Sequence, residues 1–225
     1  MAEKTPTTVW LENWFDENKE SVLKEFAEFL QFKSISTLQE HAQDMRDCVQ
    51  WLEELLTPLG FSMQRWGNAD RPVLFAQNLS AGPDAPTVLI YNHYDVQPVD
   101  PIELWESDPF TATIRDGEIF ARGAQDNKGQ CFYVLCAVRA LLQKNGTLPV
   151  NVKLCIEGEE ESGSKELQKL LDEKKEALSC DHFLVVDMGV HSLDRPAITL
   201  GLRGIAALQM EVEASRTDLH SGLYG

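Results

Sequence analysis

The sequence predicts an α/β fold with a central, mostly parallel sheet flanked by helices, and three observations carry that prediction. Apolar runs of strand length alternate with amphipathic stretches in VNVKLCIEG, SKELQKLLDEKKEAL and DHFLVVD, the pattern of strand–helix–strand units. The stronger apolar runs TVLIYNH, VKLCIEG and FLVVD each lead into polar residues, as strands do when they deliver functional groups at the carboxyl edge of an open sheet. The 225 residues suffice for one substantial core, or for one domain and the start of another.

Two helices are expected to open the chain. Val22, Phe26, Phe29 and Leu30 recur at helical spacing, and Met45, Val49, Leu52, Leu56 and Leu59 repeat the pattern before Pro58 and Gly60 close it. Both stripes read as core-facing. PVLFAQN and TVLIYNH follow as strands, the second after the turn residues AGPDAP. A long loop then runs from about Val96 to Gly117, with three prolines and Trp105; loops of that length in compact domains are usually functional or covering segments. EIFARG is a brief strand, and a helix is expected over about Lys128 to Lys144. Beyond FLVVD, AITLGLRG and IAALQMEVEA are two further extended stretches.

Composition narrows the function. Hydrophobic residues make up 43% and charged residues 25%, ordinary values for a globular chain. The net charge of −16 weighs against a nucleic-acid partner and against anionic membrane surfaces. That acidic excess is either a solubility device or a supply of carboxylates that hold cations, and position decides which. Cys48, Cys131, Cys136, Cys155 and Cys180 are odd in number, lack CxxC spacing and sit mostly in apolar runs, so they read as free thiols of a reducing compartment. The N-terminus has no apolar core of signal-peptide length, and no run approaches the roughly 18 apolar residues of a membrane span. A cytoplasmic location is expected.

The chemistry concentrates at strand ends. TVLIYNH ends on His93, with Asp95 two residues on. VKLCIEG runs into Glu159, Glu160 and Glu161, FLVVD ends on Asp187, and Asp126 lies in GRGAQDNKG between a strand and a helix. Each piece alone has an ordinary reading as a surface loop or turn; their joint occurrence is what points to a site. Several carboxylates brought together repel one another unless a cation joins them. Histidine with Asp and Glu, and no Cys, suits catalytic zinc, with manganese or cobalt as alternatives, and an acidic bridging ligand suits a two-metal site. His93 and Asp95 project to one side of an extended segment, so Asp95 can steady the ring. Glu160 and Glu161, if extended, point different ways, so that one can ligate while the other handles the proton of an attacking water. Ser162, Gly163 and Ser164 look like a helix start.

These segments resemble the metal-dependent aminoacylase, carboxypeptidase G and succinyl-diaminopimelate desuccinylase superfamily, and within it the carnosinase-like nonspecific dipeptidases. The resemblance rests on NHYDVQP, LWESDPF, DGEIFARGAQDNKGQ, CIEGEEESGS, FLVVDMG, PAITLGLRG and DLHSGLYG, which run in family order from about Val88 to Gly225. It implies the N-terminal part of a zinc-exopeptidase-like catalytic domain, here residues 1–202, and the start of a smaller α+β lid or dimerisation domain at residues 203–225. By resemblance, His93 binds one metal, Asp126 bridges two Zn2+ (Mn2+ or Co2+ possible), Glu161 and Asp187 complete the present ligands, Glu160 is the general base and Asp95 orients His93. His220 would reach a partner subunit's site in a homodimer and stabilise the oxyanion. The implied reaction is hydrolysis of the amide bond of a dipeptide or short peptide by a hydroxide held between the metals. N-acyl-amino-acid deacylation at the same centre is the rival. Relatives are about twice as long and carry a further His ligand near their far C-terminus, so a catalytically inert fragment that keeps metal or subunit binding is a third reading. Asn127 stands where many relatives carry Asp, and Asn92 where Gly is frequent.

Overall fold

The computed structural model describes residues 5–190, 192, 197–212 and 220–223. The chain divides into two units, Met1–Asp187 and Met188–Gly225.

The first unit opens with α1 (Pro6–Gln31) and α2 (Ala42–Leu56). Thr5 caps α1, its side chain accepting the Thr8 N–H at 3.2 Å, and Pro6 occupies the first turn where a missing N–H costs nothing. A short 3₁₀ turn (Thr57–Leu59) ends α2, and Gly60 leaves it in the left-handed conformation. Then come β1 (Ser62–Trp66), β2 (Val73–Asn78), β3 (Thr87–His93), β4 (Thr113–Arg115), β5 (Glu118–Phe120), α3 (Lys128–Asn145), β6 (Asn151–Glu157), α4 (Lys165–Glu173) and β7 (His182–Val185).

The strand order is β1-β2-β6-β3-β7, with β4 and β5 as a separate hairpin. β6, β3 and β7 run parallel, whereas β2 is antiparallel to both β1 and β6. The sheet is therefore mixed, with β2 opposed to the other four strands. One face packs on α1, α2 and α3 through Phe29, Leu30, Leu52, Leu56, Leu74 and Leu154. On the other face Trp66 stacks on Phe75 at 4.3 Å, under Leu167 and Leu170 of α4. Every residue of β6 is buried, as expected for a strand covered on both faces. Its mid-strand Lys153 is accommodated because Nζ donates to the carbonyls of Ala177 (2.7 Å) and Ser179 (2.6 Å). β7 lies at the sheet edge and stays exposed.

The helices fall where the apolar spacing puts them, while β1 and β4 were not anticipated. In the second unit the expected extended stretches form no strand among residues 197–212. Ile205 and Leu208 there are almost wholly exposed, and an extended run becomes a strand only when a neighbouring edge takes up its backbone hydrogen bonds. No described helix is long and apolar enough to cross a membrane.

Candidate metal centre

The parallel register sets the site. His93 ends β3 opposite Glu157 of β6, and Tyr91 lies opposite Val185 of β7. The carboxyl ends of three strands therefore open at one edge, where His93, the turn after β6 and Asp187 gather.

His93 is buried, and its two ring nitrogens face different groups. Nδ1 lies 3.0 Å from the Asp95 carbonyl and 3.3 Å from Asp95 Oδ1. Nε2 faces the carboxylates of Asp126 (3.1 Å), Glu160 (3.8 Å) and Asp187 (3.8 Å). Burial alone would lower the ring's pKa, but the hydrogen bond and charge of Asp95, with the charges of Asp187 and Glu160, outweigh it and push the pKa up to about 9. Glu160, Glu161 and Asp187 are all raised above the usual carboxylate range, first by burial and then by repulsion from neighbouring carboxylates. Negative charge is thus crowded against one imidazole.

Asp95 is fully buried and does more than face the ring. Its carboxylate accepts the backbone N–H groups of Glu160 (3.2 Å) and Glu161 (3.0 Å). The segment it holds is a 3₁₀ turn, Glu160–Ser162, and not the extended geometry expected from sequence. In that turn Glu160 faces His93, whereas Glu161 accepts from Gln97 Nε2 at 2.7 Å. The helix start lies slightly later: α4 begins at Lys165, and its Glu166 N–H is capped by Glu159 Oε2 at 3.0 Å.

Among the described residues, donor atoms of His93, Asp126 and Asp187 lie within 4.8 Å of one another and could hold a metal ion. Imidazole nitrogen with carboxylate oxygens is a donor set for zinc, manganese or cobalt, and separations of this order suit atoms around one ion with bonds of about 2.0–2.2 Å. The residues present therefore fit a divalent cation. Glu160 and Glu161 flank this cluster without belonging to it. His220 lies in the second unit, where its Nδ1 accepts the Gly222 N–H at 3.1 Å. The five cysteines are free, and Cys48 is buried with its thiol pushed up to about 11, so it is no nucleophile.

Sequence reasoning passed over Gln97 and underrated Asn127. Gln97 was within reach, because the period-two spacing that pairs His93 with Asp95 continues to residue 97. Asn127 is fully buried and contacts Asn92, His93 and Asp187; no spacing rule brings those residues together.

Known proteins resemble this chain in sequence and fold. A family model described as Peptidase family M20/M25/M40 matches residues 89–218. The chain is 33% identical over 209 residues to the cysteinylglycine-S-conjugate dipeptidase of Corynebacterium striatum, covering 92% of this chain and 46% of that protein. It is 35% identical over 170 residues to the Cys-Gly metallodipeptidase of Schizosaccharomyces pombe, covering 74% of this chain and 36% of that one. Among solved structures, human carnosine dipeptidase 1 superposes with a TM-score of 0.73 at 28% identity, covering 79% of this chain and 40% of its own. The chain thus spans less than half the length of each relative. The family model's match across more than half of the sequence, with a 33% identical relative over 92% of it, makes this chain a member of peptidase family M20/M25/M40.

Proposed function

We propose that this protein is a metal-dependent dipeptidase whose substrates are dipeptides or short peptides of the Cys-Gly or β-Ala-His kind. The observation that carries the reading is the convergence of His93, Asp126 and Asp187, with the Glu160 carboxylate 3.8 Å from His93 Nε2. In this reading His93, Asp126, Glu161 and Asp187 would hold two divalent ions, zinc first, with Asp126 as the shared ligand. Bound there, such ions would supply Lewis acidity for amide hydrolysis. Glu160 takes the proton of the attacking water and passes it to the leaving amine, a task for which its raised pKa suits it. Asp95 fixes the His93 ring and the turn that carries Glu160 and Glu161. The region from residue 203 opens a lid through which two copies pair in the cytoplasm, and His220 contributes to the partner's site.

Metal content and turnover test this directly. The expected result is two divalent ions per chain, hydrolysis of Cys-Gly and β-Ala-His, and loss of turnover with retained metal in Glu160→Gln. Turnover confined to N-acetyl amino acids would replace the dipeptidase with a deacylase. Metal uptake without any turnover would favour a binding fragment, a reading kept open by the chain's short span relative to its relatives. Failure to take up any divalent ion would remove the metal centre altogether.

A further inference from the structure

Asp187 draws little support from the strand that precedes it. It follows β7, an edge strand whose Phe183, Leu184 and Val185 are all exposed. His93, by contrast, ends a strand paired on both sides. A side chain at a loose edge is held accurately only if polar bonds hold it.

Those bonds come from two buried amides. Asn127 Nδ2 shares its two N–H bonds among Asp187 Oδ1 (2.7 Å), the Val186 carbonyl (2.9 Å) and Gln130 Oε1 (2.7 Å). Asn127 Oδ1 accepts from the His93 backbone N–H (3.2 Å) and from Asn92 Nδ2 (2.8 Å). Asn92 in turn donates to the same Val186 carbonyl at 2.8 Å. Asn92 and Asn127 are both buried. One linked pair therefore touches the backbone of His93, the backbone of Val186 and the carboxylate of Asp187, while Asn127 directly follows Asp126.

The neutral amide of Asn127 presents donors and an acceptor together in this place. A carboxylate at residue 127 would set oxygen against the Val186 carbonyl and against Asp187. An apolar residue would leave Asp187 without its donor and the His93 N–H without its acceptor.

We infer that Asn92 and Asn127 act as one coupled positioning pair that holds Asp187 in register with His93 and Asp126. The inference rests on the metal-centre reading above. Neither amide is a ligand; both act through the residues they hold.

Zinc and manganese affinities of the chain, measured by competition with a chromogenic chelator, test it, with urea unfolding of the metal-free proteins in parallel. Asn127→Ala is expected to weaken metal binding by about 10–100-fold, the usual effect of removing a group that orients a ligand. Asn92→Ala is expected to weaken it less, by roughly 3–10-fold on the same scale. The double variant should lose less than the product of the two single losses, because the amides share one hydrogen bond and the same Val186 carbonyl. Affinities within twofold of the parent in folded Asn127→Ala, or losses that multiply in the double variant, would overturn the pairing. If Asn127→Ala does not fold, Asn92→Ala decides: reduced affinity at unchanged unfolding midpoint supports the inference, and unchanged affinity overturns it. A parent chain that binds neither ion would instead remove the metal centre on which the inference stands.

Discussion

Asp95 Oδ1 lies 3.3 Å from His93 Nδ1, and neither side chain reaches solvent. The same carboxylate receives the N–H groups of Glu160 and Glu161, so one residue fixes both the imidazole and the acidic turn beside it. Asp95→Ala breaks the buried pair and leaves both N–H groups without their acceptor. Urea unfolding of the metal-free variant should show a loss on the order of 3 kcal/mol, and divalent-metal affinity should fall by about 10–100-fold. A variant as stable as the parent, with full metal affinity, would mean that Asp95 orients nothing.

His93 makes metal binding depend on pH, with opposite signs for the free and loaded protein. Its pKa is raised above the unfolded value, so its contribution to stability is complete below about pH 6.5. That contribution is lost as the pH rises through about 9. The metal-free protein should therefore unfold at lower urea as the pH climbs through this window. A ligating imidazole must be neutral, so each ion bound through His93 displaces a proton, and affinity should rise up to about tenfold per pH unit over the same range. Calorimetry in buffers of different ionisation enthalpy counts the protons released. Affinity that stays flat from about pH 6 to 9 would exclude His93 as a ligand.

Gly158 is fixed by contact and not by backbone freedom. A Cβ there would stand 2.2 Å from Tyr94 Oη and 2.5 Å from its Cζ. Tyr94 cannot withdraw, since it is fully buried and its hydroxyl donates to the Pro72 carbonyl at 2.9 Å. Gly158→Ala should cost about 3 kcal/mol, the upper end for an overpacked core. Adding Tyr94→Phe should not restore stability, because the ring carbon clashes as well as the oxygen. Recovery in that double variant would show that the hydroxyl alone sets the constraint.

Much of this architecture was legible in the residues. The stripe at Met45, Val49 and Leu52 places α2, and the runs ending on His93 and Asp187 place two strand ends, because apolar periodicity reports directly on which face is buried. His93 ends β3 and Asp187 follows β7 by two residues, so both positions could be read from where the apolar runs stop, whereas Asp126 lies in the loop before α3. Three things were not legible. β1, SMQRW, alternates too weakly to stand apart from the loop before it, and it forms because β2 offers an edge. The Glu160–Ser162 turn is imposed by Asp95, a residue 65 positions away. The Asn92–Asn127 contact spans 35 positions, and only the completed sheet creates it.

The buried carboxylate beside the site supplies a prediction of its own. Tyr91 Oη donates to Glu157 Oε2 at 2.6 Å. Burial raises the Glu157 pKa, against the pull of hydrogen bonds from Tyr91 and Ser164. A carboxyl group raised in the folded state contributes stability that is complete below the unfolded value of about 4.3 and is lost as the pH rises through the folded pKa. Tyr91→Phe removes a donor to the charged form and raises that folded pKa further. Its effect should be small in acid, where Glu157 is protonated in both proteins, and should grow towards neutrality to about 1–3 kcal/mol. Glu157→Gln removes the titration, so in that background the cost of Tyr91→Phe should no longer change with pH. Denaturant unfolding of the four metal-free proteins at about pH 4, below the ordinary carboxylate value, and at about pH 8 compares the two regimes. A Tyr91→Phe penalty that is the same at both values with Glu157 intact would show that the hydroxyl does not stabilise the carboxylate.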